Sequence, residues 1–347
     1  MPRIATIRVQ NVRIHTDYTL QVQPSTTVIT GPNGSGKTSL IEALYIALRG
    51  TSFKGGDDTI LRTAAPWYRI DVSCDDSTRR TVKFDPNRAT GRKQFMIDNT
   101  TRYRLSPLHK YPVVLFEPED LRLLSGSPVR RRQFIDRFIA QLDPQYATSL
   151  RRYDRALRQR NSLLKQLSAS DSLFAWDVGL SEYGAYIIQQ RIRFCDMLNA
   201  QLGDVYRSIA RTSDTVAIRY SHKATGGDIA GTLLGELHAR AERDKLLGYT
   251  SVGPHRHDVL FDFNASPALS VVSRGEARTI VLALKFLEVG LIESLTQKKP
   301  IILLDDVFSE LDEERQKYLI EATESHQIIM TAATSNPYLG SDVVTQL

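Results

Sequence analysis

Two cysteines in 347 residues, Cys74 and Cys195, are too few for a disulfide framework and lack the spacing of a zinc site. Both are expected as reduced thiols in packed positions. Long apolar runs are missing too: nothing approaches the roughly 20 residues that span a bilayer. The start, Met1-Pro2-Arg3-Ile4-Ala5-Thr6, has no apolar stretch of signal-peptide length. A cytoplasmic protein with no membrane partner is expected. No internal repeat or low-complexity linker interrupts the chain.

What is present is an ordinary globular composition, 41% hydrophobic and 24% charged, in a chain long enough for one large or two moderate domains. The net charge of +6 favours polyanionic partners without selecting one. Its distribution is more informative. Between Arg122 and Lys165 stand Arg122, Arg130, Arg131, Arg132, Arg137, Arg151, Arg152, Arg155, Arg158, Arg160 and Lys165 against only Asp136, Asp143 and Asp154, so this stretch carries more positive charge than the whole chain.

Ile4 to Val9 alternates like a half-buried strand, and Thr26-Thr27-Val28-Ile29-Thr30 is a β-branched run ending at Gly31. Leu40, Ile41, Leu44, Tyr45 and Leu48 then keep a helical period up to Gly50. From Trp67 to Leu105 short strands alternate with polar turns such as Asp85-Pro86-Asn87, which predicts an antiparallel sheet to which no chemistry is assigned. After Phe116-Glu117-Pro118 the period turns helical for about ninety residues. Tyr146, Leu150, Tyr153, Leu157, Leu164 and Leu167 line one face, and Ile187, Phe194, Leu198, Leu202, Val205 and Ile209 another, predicting a helical arm with its arginines toward solvent. Past Tyr249 the α/β pattern returns, with a helix near Glu276 to Leu295 and strands at Ile301 to Leu304 and Gln327 to Met330.

Gly31-Pro32-Asn33-Gly34-Ser35-Gly36-Lys37-Thr38 fits G-x-x-x-x-G-K-[ST] between an expected strand and an expected helix, the context of a phosphate-binding loop. Glycines let backbone N–H groups curl around phosphates, and the helix start adds amides and a favourable dipole. Lys37 is assigned to the β- and γ-phosphates of ATP and to catalysis, and the Thr38 hydroxyl to Mg²⁺. Leu303-Leu304-Asp305-Asp306 supplies the matching Walker B strand end. Two adjacent carboxylates repel unless a cation or proton relieves them; Asp305 is assigned to Mg²⁺ through water and Asp306 to the attacking water. A helix cap is the alternative use of such a pair.

Ser273-Arg274-Gly275-Glu276 opens an apolar helix about thirty residues before that strand, where ABC-type ATPases place their signature. A hydroxyl, backbone amides and the helix dipole make an anion site, although the same four residues also make an ordinary N-cap. In the ABC superfamily the signature of one subunit closes over the nucleotide of the other, so one loop and one signature per chain imply a homodimer with two composite sites. Ser273, Gly275 and Glu276 are the residues assigned to it. Asp312, in Ser309-Glu310-Leu311-Asp312, matches the D-loop and equally a helix cap. The expected fold is therefore α/β, an ABC-type (SMC-like) P-loop ATPase split by an inserted mainly helical arm: 1–118 with Walker A, 119–245 the arm, and 246–347 with signature, Walker B and D-loop.

Further stretches resemble the RecF family of bacterial recombination and repair mediators. They are Phe116-Glu117-Pro118-Glu119-Asp120-Leu121, Gly126-Ser127-Pro128, Arg130 to Asp136, Tyr153 to Leu157, Gln159 to Lys165, Gly253-Pro254-His255-Arg256 and Asn11-Val12-Arg13. The likeness runs along nearly the whole chain in order and spacing. Two departures stand out: Arg274 and Glu276 where that family's signature runs Ser-Gln-Gly-Gln, and His257 in place of an acid. Glu276 near a triphosphate would repel it unless Arg274 or another cation offsets the charge. Asp306 in place of a catalytic glutamate, and Thr331 where many ABC ATPases have a switch histidine, imply slow turnover. The resemblance implies ATP and Mg²⁺ as cofactors, an ATP-dependent homodimer, binding to single-stranded DNA gaps and gap junctions, RecO and RecR as partners, and loading of RecA. Arm arginines would supply phosphate contacts, or else a solvated helix face. A transporter ATPase is the alternative, but its insert is shorter and less arginine-rich. An SMC-like structural ATPase needs longer heptad arms, and an OLD-type nuclease an added acidic domain.

Overall fold

The computed structural model describes residues 2–166, 170–222, 227–332 and 344–347. Contacts gather the chain into two units, Met1–Leu121 with Glu288–Leu347, and Arg122–Leu287.

In the first unit, alternation makes strands with one wet face. β1 (Ile4–Val12) and β2 (His15–Gln21) form a hairpin; β3 (Thr26–Thr30), α1 (Lys37–Arg49) and α2 (Asp57–Ile60) follow. Next come β4 (Tyr68–Cys74), β5 (Arg79–Phe84), β6 (Lys93–Ile97), β7 (Thr100–Arg102) and β8 (Val113–Phe116). An antiparallel sheet in the order β2-β1-β4-β5-β6-β7 results, as the short-strand pattern from Trp67 to Leu105 predicts. Ile7, Val9, Ile70, Val72, Val82 and Phe84 point to the core while Arg8, Gln10, Arg69 and Lys83 take the opposite face.

In the second unit, α3 (Pro128–Leu142), α4 (Pro144–Leu164) and α5 (Ser170–Ala210) are the arm helices. β9 (Val216–Ser221), α6 (Ile229–Ala239), α7 (Ala241–Leu247), β10 (Asp258–Phe263), β11 (Ser266–Pro267) and α8 (Ala268–Val271) complete it. The two expected apolar stripes are in place: Tyr146, Tyr153 and Leu164 on α4, and Ile187, Phe194, Leu198 and Leu202 on α5, are buried. Leu167 lies outside the described residues. The expected end of the arm at 245 differs from the contacts, which keep residues up to Leu287 in this unit. The reason is strand pairing: β10 runs antiparallel to β9 from Asp258↔Ser221 to Phe263↔Val216, which ties 258–263 to the arm side. The unit boundary falls within α9 (Arg274–Thr296).

Two of these arginines depart from the solvent-face expectation. Arg131 is buried and forked onto Asp258, at 2.9 and 2.7 Å. Arg160, with no exposed surface, pairs with Asp177 at 2.6 Å and Asp244 at 2.7 Å. A guanidinium has five donors in a planar fork, which makes it the cation that a buried site can satisfy. Arg151, Arg152, Arg155 and Arg158 do lie exposed on α4.

Back in the first unit, β12 (Ile301–Asp305), α10 (Glu313–Thr323), β13 (Ile328–Ala332) and β14 (Val344–Gln346) finish a second sheet, order β14-β3-β13-β12-β8. All its pairings are parallel. Its strands are runs of Val, Ile, Leu and Thr, as a sheet covered on both faces requires. Helix α1 lies in the core common to both sheets; Leu40, Ile41, Leu44, Ile46 and Leu48 pack with Ile7 and Ile70 on one side and Ile29, Leu303 and Ile329 on the other. That explains why its apolar residues extend beyond a single stripe. Cys74 and Cys195 are buried free thiols, and burial pushes them up to about 11 and about 12. Among the described residues no helix is long and apolar enough to cross a membrane.

Candidate nucleotide-binding site

Parallel pairing puts the carboxyl ends of β3, β13 and β12 side by side, with Thr30 opposite Ala332 and Thr331 opposite Asp305. Gly31 to Thr38 leaves β3 there and enters α1. Gly36 is the residue before the helix, at φ 96°, and a Cβ on it would sit 2.4 Å from His15 Nε2. His15 is buried and its Nε2 lies 3.1 Å from the Gly36 carbonyl, so the β1–β2 hairpin buttresses the loop. Lys37 donates to the carbonyls of Gly31 at 2.6 Å and Pro32 at 3.0 Å. Asn33 and Gly34 are exposed at the loop's crest.

Thr38 Oγ1 donates to Asp305 Oδ1 at 2.6 Å, which joins the loop to the Walker B strand across 267 positions of sequence. Asp305 is buried, and its other oxygen faces Lys54 Nζ at 3.1 Å. From β13, Thr331 Oγ1 donates to Asp305 Oδ1 at 3.2 Å and accepts the Asp306 N–H at 2.8 Å. Asp306 takes the left-handed backbone, φ 53°, an arrangement Asp adopts more readily than most residues. The Ser309 hydroxyl donates to the Asp306 carbonyl at 2.9 Å.

Triphosphate and Mg²⁺ suit this donor set. The Ser35 hydroxyl is buried with no partner among the described residues, a group that a phosphate oxygen would satisfy. Around Gly34 nothing stands within 4 Å of where a Cβ would be, leaving its backbone open to approach. Thr38 and Asp305 offer the oxygen ligands that Mg²⁺ prefers.

The remaining expected residues, Ser273, Gly275, Glu276 and Asp312, each stand at a helix start. Ser273 accepts the Glu276 N–H at 3.3 Å, and Glu276 Oε2 accepts the Ser273 N–H at 2.6 Å: a reciprocal capping box at the start of α9. Gly275 stands between them in the first turn. Asp312 is the N-cap of α10, accepting the Arg315 N–H at 3.0 Å and pairing with its guanidinium. For both motifs the cap geometry left open by the sequence is present.

Several groups at the site carry no motif of their own. His15 is placed by tertiary contact alone, and Thr331, noted in sequence only as standing where a switch histidine is common, gains its bonds to Asp305 and Asp306 by tertiary contact. Glu42, buried on α1, is forked by Arg13 at 3.0 and 3.2 Å and accepts from Ser52. Ser52 Oγ in turn accepts the Lys54 N–H at 2.9 Å and the Gly55 N–H at 3.1 Å, which holds the segment carrying Lys54. Asn11-Val12-Arg13 gave a signal, as part of a family resemblance, with no role attached. The Gly-Pro-His-Arg element is a hub of the second unit: His255 Nδ1 lies 2.6 Å from Tyr153 Oη, and Arg191 donates to the Pro254 carbonyl at 2.8 Å.

A phosphate-binding loop and a Walker B strand on one parallel sheet, with an antiparallel sheet beside them and a helical insertion, define an ABC-type ATPase of the SMC-head kind. The Smc head domain from Pyrococcus furiosus shares the fold, with a TM-score of 0.51 at 14% identity over 96% of this chain and 90% of that one. A family model described as an AAA domain matches residues 6–179. The DNA replication and repair protein RecF of Lachnoclostridium phytofermentans is 32% identical over 99% of this chain and 96% of the relative. That of Thermomicrobium roseum is 34% identical over 89% and 87%. The chain belongs to the RecF family of DNA replication and repair proteins. A solved structure of the recombination mediator RecF-ATP in the RecFOR pathway superposes with a TM-score of 0.87 at 27% identity, covering 98% of this chain and 94% of that one.

Proposed function

We propose that this chain binds ATP and Mg²⁺ and works as an ATP-closed homodimer on DNA, with slow hydrolysis that limits how long the dimer lasts. The observation that carries the reading is the 2.6 Å contact of Thr38 with Asp305, which puts a hydroxyl and a carboxylate together beside the loop. Backbone amides of Gly31 to Thr38 would hold the phosphates, with Lys37 on the β- and γ-phosphates and Thr38 and Asp305 on the metal. Mg²⁺ supplies neutralisation of phosphate charge. Asp306 orients the attacking water. Ser273, Gly275 and Glu276 of a second copy close over the nucleotide, and Asp312 passes between the two sites.

Thr331 ties Asp305 to the Asp306 amide where a histidine could have relayed a proton, which supports slow turnover. Exposed Arg151, Arg152, Arg155 and Arg158 support sequence-independent phosphate contact. Family membership supports action in the cytoplasm at single-strand gaps and gap junctions, with RecO and RecR as partners and RecA loading as the outcome. Sizing chromatography with ATP, ADP or no nucleotide, with and without gapped duplex, tests the core of this. A dimer is expected for the wild type with ATP, strengthened by DNA, and not for Lys37→Met. A dimer indifferent to ATP, or an ATP-bound monomer, overturns the reading.

A further inference from the structure

The solvent face of the antiparallel sheet carries a cavity of about 280 Å³ on the first unit. Register explains its floor. Gln10 pairs with Arg69, Arg69 with Lys83 and Lys83 with Gln94, so four polar side chains form one row across β1, β4, β5 and β6. At the ~4.8 Å spacing of strands the row is roughly 14 Å long. Trp67, 40% exposed, comes just before β4, and continuing the Tyr68–Phe84 and Phe84–Lys93 register makes it level with Asp85 and Asp85 level with Arg92, so the indole and the β5–β6 turn flank the row on the same side. That turn carries Arg88 and Arg92 and is fixed by Asp85 N–H to the Arg92 carbonyl at 2.9 Å and Asn87 N–H to Asp85 at 2.9 Å.

Charge in the cavity is one-sided. Its lining has four basic residues and one acid, Asp85. Arg69 is engaged with Asp71 at 2.6 Å and Arg88 with Asp85 at 3.5 Å. Lys83 is exposed and makes no ion pair or side-chain hydrogen bond among the described residues. The half-exposed Trp67 indole thus stands beside two cations, Lys83 and Arg92, with no carboxylate partner among the described residues, and an aromatic face next to free positive charge is a surface that a base and a phosphate can both use. Beneath it the stacked Tyr68–Phe84 pair, centroids 5.3 Å apart, makes the platform stiff.

We infer that this face binds single-stranded DNA, with one unpaired base stacked on Trp67 and the backbone phosphates on Lys83, Arg88 and Arg92. Aromatic stacking and a cationic track are the two components of sequence-tolerant single-strand binding. A duplex keeps its bases stacked inside, so it can offer this face phosphates but no base for the indole. The volume is at the small end of ligand pockets, roughly 300 Å³ and upward, which suits one base rather than a folded partner. The inference rests on DNA as the substrate, proposed above, and adds a place where a gap differs from duplex.

Trp67 and Trp176 are the two tryptophans of the chain. In full-length Trp176→Phe, Trp67 is therefore the sole indole reporter. Titration with a thymidine oligonucleotide is expected to quench its emission, while a blunt duplex of equal length and thymidine monophosphate leave it unchanged at the same concentrations. Trp67→Ala should weaken oligonucleotide binding roughly five- to a hundredfold, and Trp67→Phe should restore most of it. Lys83→Ala with Arg92→Ala should flatten the slope of log affinity against log salt by about 1.4. Oligonucleotide bound with unchanged Trp67 emission, or equal quenching by duplex or by the monophosphate, overturns this inference and leaves the gapped-DNA clamp standing. A chain that retains neither oligonucleotide nor gapped duplex overturns both.

Discussion

At the scale of single residues the loop depends on what reaches it from far away in sequence. Gly36 has two constraints, a left-handed φ and His15 Nε2 pressed where a Cβ would be. The left-handed backbone alone costs a side chain about 1–2 kcal/mol. Gly36→Ala is expected to lower the thermal midpoint and to abolish ATP retention. Adding His15→Ala removes the imidazole from the Cβ position but leaves the Ile14 Cδ1 contact at 2.8 Å and the backbone cost, so part of the stability should return in calorimetry. If His15→Ala recovers nothing, the buttress from the hairpin is not what the glycine accommodates. The motif itself was legible because eight consecutive residues encode it. His15, Glu42 and Lys54 were not, since each gains its role only when folding brings it to a loop, helix or strand outside its own neighbourhood; Thr331 was legible as the replacement of a switch histidine, but its bonds to Asp305 and the Asp306 amide were not.

At the scale of the element, α4 shows how far periodicity carries and where it stops. Its apolar stripe was legible and is buried. Positive charge by itself gave no sign that Arg160 turns inward while Arg155 and Arg158 turn out, because the decision lies with Asp177 on α5 and Asp244 on α7. Two substitutions separate these uses. Arg160→Ala strands two buried carboxylates and is expected to cost about 3–5 kcal/mol in chemical denaturation. Arg155→Ala with Arg158→Ala should leave that denaturation curve in place while reducing the salt slope of duplex binding by about 1.8. A swap of these outcomes would mean that α4 is oriented differently. Glu276 illustrates the complementary case: a departure from the family pattern that looked repulsive in sequence is the N3 carboxylate of a capping box. Glu276→Gln preserves that geometry, so the thermal midpoint should move little, whereas Glu276→Ala should lose roughly 1 kcal/mol.

At the scale of the whole molecule, the parallel sheet and both apolar arm stripes followed from local pattern. The extent of the second unit did not, because β10 joins β9 by a pairing that no local signal announces. This unit also carries two partly buried histidines, His255 and His257. Burial pushes His255 down to about 4 and His257 to about 3, and for His257 the Arg191 guanidinium adds to the effect. Unfolded histidines protonate near 6.5. Between 6.5 and about 4 the unfolded chain therefore binds more protons, so stability is full above 6.5 and falls as the pH drops. Each histidine contributes up to about 1.4 kcal/mol per pH unit. The thermal midpoint should fall between pH 7.5 and 5.0, and His257→Asn should fall less; equal losses would remove His257 from the account.

The Ser273–Glu276 box bears on how such dimers could part. The Ser273 oxygen receives the Glu276 amide, and its own proton has no part in that bond. The hydroxyl could therefore donate a hydrogen bond to an incoming phosphate oxygen without unwinding the first turn of α9. In the dimer proposed above, docking and separation would then leave the cap intact, so the helix start would be as ready for the next encounter as for the first, and the lifetime of the pair would be left to the nucleotide.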